Sequence, residues 1–174
     1  MTIYALGDRE PEIHPDAFVH PESVVIGRVV IGAGSSIWPG AVLRGDGAGI
    51  VVGARTSIQD GAVIHCTRSR ETIVGDDCVI GHLAHLEACT IENGSLVGTG
   101  SIVLHRAVVR SGSLVGAGAV IPNDMEVPSG AMALGVPAKL RPDTVNAADI
   151  IEQAAGYVAN AAHHRANTRC VDRP

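Results

Sequence analysis

Aromatic residues are nearly absent from this 174-residue chain, at 2% of the sequence, although 46% of its residues are hydrophobic. A core without aromatic rings has to be filled by small branched side chains, and a compact sandwich or helical domain normally buries more aromatic area. Glycine, with 21 residues, is frequent by contrast, which indicates many tight turns. The composition therefore favours a narrow and repetitive interior.

Several other features are also missing. No apolar run reaches the roughly 18 residues of a membrane span, and the N-terminus lacks a signal-peptide core. The net charge is −5, and no run of Lys or Arg resembles a nucleic-acid footprint. The four cysteines form no CxxC pair. We expect a cytoplasmic protein with reduced cysteines that binds neither nucleic acid nor a membrane.

Apolar residues recur at every sixth position along most of the chain. Nineteen of twenty such ladder positions are Val, Ile or Leu, and the phase is reset only at three breaks. The positions are Ile13, Val19, Val25, Ile31, Ile37, Leu43, Val52, Ile58, Ile64, Val74, Ile80, Leu86, Ile91, Val97, Val103, Val109, Val115, Ile121, Val127 and Ala133. A helix would require apolar spacings of three and four, and an antiparallel strand would require strict alternation.

Small residues follow most ladder positions four residues later. They include Ala17, Ser23, Ser35, Ala41, Thr56, Ala62, Ala84, Ser101, Ala107 and Ala119. A period of six fits short strands that turn a corner at each repeat, so that three repeats close a coil and successive coils pair in parallel. The sequence thus predicts an all-β domain over residues 1–142, a parallel β-helix of about seven coils.

Helix-forming residues dominate the segment 146–165, which follows the last repeat. Asn146 or Thr144 is suited to cap such a helix. Its apolar face is formed by Ile150, Ile151, Ala154, Ala155, Val158, Ala161 and Ala162. We expect residues 143–174 to form a C-terminal helix and tail, with the helix lying on the β-helix and covering part of its surface.

The three breaks in the ladder are the places where chemistry is expected, because a regular ladder is scaffold. Two insertions lie around residues 44–50 and 66–72, and one deletion lies between Leu86 and Ile91. Ladder positions three repeats apart share a face in adjacent coils, roughly 4.8 Å apart. The register therefore relates the side chains that flank the breaks.

Polar side chains are stacked by this register on two edges of the predicted β-helix. Arg44, His65 and Glu87 each follow a ladder position of one face, so they lie above one another. Asp60 and His82 follow the preceding face and form a second stack. The sequence therefore predicts two clusters of charged and polar side chains on an otherwise apolar β-helix.

His65, His82 and Glu87 are a plausible zinc-ligand set, because two histidines with one glutamate form a known catalytic site. His82 lies on a different face from the other two, so a trimer would be needed to bring the three together. Each histidine is alternatively an outward-pointing surface residue. His85 is ambiguous. The remaining histidines are interpreted as surface residues: His14, His20, His105, His163 and His164.

Several linked motifs resemble those of the gamma-class carbonic anhydrases. The matching segments are Arg44-Gly45-Asp46, Gly53-Ala54-Arg55-Thr56-Ser57-Ile58-Gln59-Asp60-Gly61-Ala62-Val63-Ile64-His65, Gly81-His82 and Cys89-Thr90-Ile91. The resemblance runs from about Ile13 to Leu140. It implies a left-handed β-helix, a homotrimer and a metal ion at each subunit interface.

The resemblance also implies roles for single residues. His65 and His82 correspond to metal ligands on neighbouring subunits, and Gln59 to the side chain that hydrogen-bonds the metal-bound water. Arg44, Asp46 and Asp60 correspond to an interfacial ion-pair network. The implied reaction is that of a lyase: the metal lowers the pKa of its water, and the hydroxide attacks carbon dioxide to give bicarbonate. Zinc is the expected cofactor, with iron or cobalt as alternatives.

One position departs from the family pattern. A second His is usual where this chain has Glu87, and His85 stands two residues earlier. Glu87 stacks on His65, so it is favoured over His85 as the third ligand. A ligating carboxylate makes the site less positive and the water less acidic, which predicts weak activity at neutral pH. Two smaller departures are Ser57 in place of an Asn and the lack of an aromatic residue around Ala133.

Two other interpretations stay open at this point. A hexapeptide acyltransferase shares the scaffold, but it lacks the combined motifs, and its acyl-CoA site usually needs a longer loop than these short insertions provide. A non-catalytic trimer that binds a metal or a small ligand is credible because of Glu87.

Overall fold

The computed structural model describes residues 2–171, in which twenty short strands precede one helix. The strands wind around three faces of a coil, and equivalent strands of successive coils pair in parallel. About seven coils result. The predicted parallel β-helix with a C-terminal helix is confirmed. Met1 and the last three residues of the predicted tail lie outside the described residues.

The three faces are numbered in the order in which the chain visits them within a coil. Face 1 contains β1 (Thr2–Tyr4), the start of β4 (Val24–Ile31), the start of β6 (Val42–Val52), β8 (Val63–His65), β11 (His85–Glu87), β14 (Ile102–Val103) and β17 (Val120–Ile121). Face 2 contains β2 (Glu12–Ile13), the ends of β4 and β6, β9 (Thr72–Val74), β12 (Thr90–Ile91), β15 (Val108–Val109) and β18 (Glu126–Val127). Face 3 contains β3 (Phe18–Val19), β5 (Ser36–Ile37), β7 (Ser57–Ile58), β10 (Val79–Ile80), β13 (Leu96–Val97), β16 (Leu114–Val115) and β19 (Met132–Leu134), and β20 (Lys139–Arg141) pairs antiparallel to β19.

The six-residue ladder forms the core. Every ladder position from Val25 to Ala133 is buried, and only Ile13 and Val19, in the first coil, are half-buried. The small residues that follow four positions later are buried as well. Small side chains are required there because the chain turns inside a narrow coil, where a larger group would displace the ladder side chains.

The predicted register is also observed. Leu43, Ile64, Leu86 and Val103 are Cα partners in successive strands of face 1. The deletion is accommodated by a tight corner at Ala88, whose φ is 50°. Ladder positions are therefore in register even across the breaks.

The helix α1 (Ala147–Asn167) lies on face 3, where it contacts β3, β5, β7 and β10. Asn146 caps it, because the side-chain oxygen accepts a hydrogen bond from the Ala148 backbone N–H at 3.2 Å. The helix is not apolar enough to span a membrane, and it is the one helix of the described chain.

The buried face of α1 is narrower than the sequence suggests. Ile150, Ala154 and Ala161 are buried, whereas Ile151 is 47% exposed. Three of the four aromatic residues lie at this contact: Phe18, Trp38 and Tyr157 pack together with Ala161. The rings fill the space between the sheet and the helix, outside the coil, which is why the coil itself needs none.

Candidate metal centre

A stack of polar side chains follows the ends of three strands on face 1. The backbone register pairs Arg44 with His65, and His65 with Glu87. His65 Nδ1 lies 2.9 Å from Glu87 Oε1, and His65 Nε2 lies 2.9 Å from Asp46 Oδ1. Asp46 also pairs with Arg44. Both ring nitrogens of His65 are thus held by carboxylates, and a cation would have to displace one of them.

These carboxylates are ionised at neutral pH. Partial burial raises the pKa of Asp46, but hydrogen bonds from His65 and Arg44 outweigh it and hold the pKa below its usual value. The same holds for Glu87. Burial raises its pKa, but the hydrogen bond with His65 and the nearby imidazole of His105 lower the pKa by more. The stack therefore contains two ionised carboxylates, which are groups that a cation can bind, beside Arg44 and His65.

Two glycines of the first insertion lie where the backbone passes very close to the backbone of an adjacent segment of the same chain. A Cβ on Gly45 would lie 2.3 Å from the Arg28 carbonyl oxygen, and one on Gly47 would lie 2.2 Å from the Thr67 carbonyl oxygen. Such approaches exclude any side chain. Arg9 covers the insertion from outside by donating to the carbonyl oxygens of Asp46 and Gly47, a contact that the sequence did not indicate.

Asp60 and His82 form a second pair, at the corner between faces 3 and 1. Asp60 Oδ2 lies 3.0 Å from His82 Nδ1. A carboxylate on one ring nitrogen is the usual way in which proteins orient a metal-binding histidine, because it leaves the other nitrogen as the donor. The stacking of Asp60 on His82 follows the predicted register.

Gln59, beside this pair, is buried, with 3% of its surface exposed. A cavity of about 370 Å³ adjoins it, and Trp38, Asp60, Tyr157 and His164 contribute to its wall. The helix α1 thereby reaches the region of the predicted site, which the sequence had not indicated.

The predicted ligands do not converge within one chain. Among residues 2–171, no three His, Cys, Asp or Glu side chains are grouped so as to hold a metal ion. His65 and Glu87 lie together at the end of face 1, and His82 lies at its beginning. Within one chain, His82 therefore does not meet the other two predicted ligands, and its role across a subunit interface stays a prediction.

Two further histidines surround Glu87. His85 Nε2 lies 3.6 Å and His105 Nε2 lies 3.4 Å from Glu87 Oε2. The interpretation of His105 as an isolated surface residue is therefore wrong. The sequence feature next to this contact is the deletion, which shortens the coil to 17 residues from Leu86 to Val103. We call Asp46, His65, His85, Glu87 and His105 the histidine edge.

The donors of this edge fit a divalent metal ion in their chemistry. Imidazole nitrogens and a carboxylate suit zinc, iron and cobalt. His65 is oriented by hydrogen bonds, and Glu87 is ionised, as ligands must be. Fold and site thus define the class: a parallel β-helix protein with histidine–carboxylate pairs at both edges of one exposed face.

Comparison with known proteins agrees with this class. The family described as bacterial transferase hexapeptide (six repeats) matches residues 10–45. The mitochondrial gamma carbonic anhydrase 1 of Arabidopsis thaliana is 40% identical over 172 residues, which cover 95% of this chain and 62% of that protein. This chain thus spans less than two thirds of that relative.

Two solved structures match along nearly their whole length. A hexapeptide transferase family protein from Anaplasma phagocytophilum is 36% identical, with a TM-score of 0.90 over 94% of this chain and 98% of that one. A Bacillus cereus protein of proposed acetyltransferase function is 30% identical, with a TM-score of 0.92 over 95% and 97% of the two chains. The chain belongs to the hexapeptide-repeat family, and gamma carbonic anhydrases are among its relatives.

Proposed function

We propose that this protein is a gamma-carbonic-anhydrase-like metalloenzyme that hydrates carbon dioxide to bicarbonate at the interfaces of a homotrimer. The observation that carries the proposal is the pair of oriented histidines at opposite edges of face 1. His65 is held by Asp46 and Glu87, and His82 is held by Asp60. The identity to the Arabidopsis gamma carbonic anhydrase supports the same reading.

An exposed apolar stripe supports the trimer. Outward-facing side chains of face 1 stack from coil to coil, and most of them are Val or Ile. Val63 is 39% and Ile102 is 36% exposed, and Leu83 at the adjoining corner is 69% exposed. A stripe of this kind on a face that no helix covers is typical of a subunit contact. Threefold closure would bring the beginning of one face 1 near the end of another.

Zinc, iron or cobalt bound at this interface would supply Lewis acidity, which makes water nucleophilic at neutral pH. The chain's own residues supply position and charge. His65 and His82 of neighbouring subunits would be ligands, and their carboxylate partners fix the ring orientations. Gln59 would hold the attacking water by a hydrogen bond, and Arg44 with Asp46 and Asp60 would form the ion-pair network beside it.

Glu87 sets the rate in this proposal. As a third ligand it contributes a negative charge where a histidine would contribute none, and its low pKa keeps that charge in place. The bound water is then less acidic, so the hydration rate should be low at pH 7 and rise with pH.

The cysteines support a reducing compartment. Cys66, Cys78 and Cys89 are buried free thiols. Burial raises the pKa of Cys78 to about 11 and that of Cys89 to about 12, so both are unreactive thiols. We place the protein in the cytoplasm on this ground.

Acetyl transfer is the second candidate, because the two structural relatives are described as transferases. An acyl-CoA site usually needs a long loop, whereas the insertions at 44–50 and 66–72 are short. Binding of acetyl-CoA, measured by calorimetry, would favour transfer. We expect none.

The direct test is carbon dioxide hydration by stopped flow, with protein loaded with zinc, or with iron or cobalt under reducing conditions. We expect a measurable rate that rises from pH 7 to pH 9 and is lost in His82→Ala. Absence of hydration with all three metals would contradict the proposal.

The trimer has its own test. Ile102→Lys places a charge in the apolar stripe, so it should yield monomers and lose hydration activity. Ile151→Lys, at a 47% exposed position of α1 and away from face 1, is the matched control and should remain trimeric. Analytical ultracentrifugation reads the difference. An Ile102→Lys protein that sediments as the wild type would contradict the proposed interface.

A further inference from the structure

The first coil, formed by β1, β2 and β3, is the free end of the β-helix within residues 2–171, and a cavity of about 500 Å³ lies there. Its apolar wall includes Ile3, Ile13 and Val19, which pack against the core. These three side chains are only half-buried, whereas the ladder positions of later coils are buried. A cavity of this volume is within the range of small-molecule sites in proteins.

The rim of this cavity carries positive charge and hydrogen-bond donors. Its polar side chains are those of His14, His20, His164, Arg165 and Thr168. Among residues 2–171, no Asp or Glu lines it. This differs from the chain as a whole, whose net charge is −5. A cavity with this lining is complementary to an anion with an apolar body.

The rings of His14 and His20 are oriented by the backbone. In each ring Nδ1 accepts the backbone N–H of the second residue onward, from Asp16 at 3.1 Å and from Glu22 at 3.2 Å. The proton of the neutral imidazole therefore lies on Nε2. Both rings are thus hydrogen-bond donors for an oxyanion even when they are uncharged.

Arg165 reaches the cavity from the last turn of α1. Its Nη2 donates to the carbonyl oxygens of Asp16 at 3.2 Å and Ala17 at 2.5 Å, which holds the side chain against the first coil. Carbonyl oxygens carry no net charge, so the guanidinium keeps its positive charge, and its other N–H groups can bind a carboxylate. Phe18, which is 8% exposed, adds an aromatic ring to the wall.

We propose that this cavity binds a carboxylate with an aliphatic chain of medium length. The chain lies on Ile3, Ile13 and Val19, and the carboxylate accepts hydrogen bonds from Arg165 and His20 at the rim. The trimer contact proposed above follows the outward side chains of face 1, whereas this wall belongs to the inner side of the first coil. The site shares no residue with the proposed metal centre, so it goes beyond the proposed function.

Titration of metal-free protein with octanoate, followed by calorimetry and by tryptophan fluorescence, tests the site without reference to catalysis. Trp38 is the only tryptophan of the chain, and its ring centroid lies 5.5 Å from that of Phe18. We expect saturable binding of one octanoate per chain with a change in fluorescence. Acetate lacks the apolar chain and octylamine has the opposite charge, so both should bind at least about tenfold more weakly.

Two variants test the charge of the rim. Arg165→Gln removes the positive charge and should weaken octanoate binding at least about tenfold. His20→Glu places a carboxylate at the rim, so octylamine should then bind more tightly than octanoate. Arg141→Gln, in an exposed strand at the other end of the β-helix, is the matched control and should bind octanoate as the wild type does. Circular dichroism shows whether each variant is folded.

No saturable binding of octanoate by the wild type would overturn the proposal, and so would an unchanged preference for octanoate in folded His20→Glu. Binding that appears only after removal of residues 172–174 would identify the C-terminal tail as the occupant and overturn it. Assemblies that grow with protein concentration and are dispersed by Ile13→Lys would identify a second copy instead, with the same consequence. Because the titration uses metal-free protein, none of these outcomes bears on carbon dioxide hydration, and a lack of hydration leaves the carboxylate site standing.

Discussion

Two edges of the β-helix stack charged side chains along its axis, and they differ in the basic partner. At the corner between faces 2 and 3, Arg55 donates to Asp77 through Nε at 2.6 Å and Nη2 at 2.7 Å, with Asp76 beside them. We call these three residues the arginine corner. At the histidine edge the partners of Glu87 are imidazoles, whereas Asp46 pairs with both His65 and Arg44. Two of the Glu87 contacts exceed hydrogen-bond length.

The difference indicates which of the two stacks could bind a cation. Arginine has no lone pair and stays charged, so a bidentate pair with a carboxylate is closed to other ligands. Arg106 and Asp124 repeat the same closed pair next to His105, at 2.6 and 2.8 Å. Histidine keeps a nitrogen lone pair that a cation can use. On this ground we propose the metal centre at the histidine edge and assign a structural role to the arginine corner.

The largest expected difference is between loss of the proposed ligand His82 and loss of the arginine corner. His82→Ala should lower the hydration rate more than about 100-fold, because it removes a ligand that Asp60 orients. Arg55→Ala should leave the rate unchanged. Stopped-flow assays of both variants at equal metal content provide the measurement, and a large loss in Arg55→Ala would place function at the wrong stack.

Asp46 of the histidine edge lies in the irregular insertion at residues 44–50, whereas the arginine corner belongs to a regular coil. Gly47→Ala forces a Cβ against the Thr67 carbonyl and should cost about 1–3 kcal/mol of unfolding free energy. It should also lower the hydration rate at least about tenfold, since Asp46 shifts. Gly118→Ala meets open space at φ +67° and should cost stability without loss of rate. Urea unfolding and the hydration assay separate the two outcomes.

Glu87→His tests the charge of the edge. Removing one negative charge should raise the hydration rate at pH 7 by about tenfold and shift the rise of the rate to lower pH. The pH–rate profile of wild type and variant is the measurement. A variant with a lower rate at every pH would show that the carboxylate is an essential part of the site.

Arg55→Ala should lower the free energy of unfolding by less than about 1 kcal/mol, because Arg55 is half exposed and solvent screens the pair. Alanine keeps a Cβ at the positive φ of 54°, so the backbone cost is unchanged. Urea unfolding measures the loss. A decrease of several kcal/mol would mean that the arginine corner is more than a surface support.

The smallest expected effect is a pH dependence of the unfolding free energy, which comes from another arginine–carboxylate pair, Arg110 with Glu92. The Arg110 guanidinium holds the pKa of Glu92 below its usual 4.5. The pair therefore stabilises the fold above about pH 4.5, and this contribution is lost as the pH falls through the lowered pKa. Glu92→Gln should be slightly less stable than wild type at pH 7 and equally stable at pH 2. A difference that persists at pH 2 would exclude this cause.

The fold could be predicted from the sequence because a single period of six places nearly every core residue. The stacking of Arg44, His65 and Glu87 followed from the same register. Side-chain contacts across corners could not be predicted in this way. The approach of His105 to Glu87 depends on how the shortened coil turns at Ala88, which the spacing alone does not give.

The helix contact shows the same limit. Its existence follows from composition and from the cap at Asn146. The residues that the helix buries could not be predicted from composition, because they are determined by the rings of Phe18 and Trp38, which project from face 3. Gln59 lies beside this contact for the same reason.

Anomalous X-ray diffraction from crystals grown with zinc tests most directly whether the histidine edge is a metal centre. An anomalous peak is expected about 2.0–2.2 Å from Glu87 and His65, with His82 of a neighbouring subunit completing the site. Crystals that contain zinc with no peak along this edge would contradict its assignment as a metal centre.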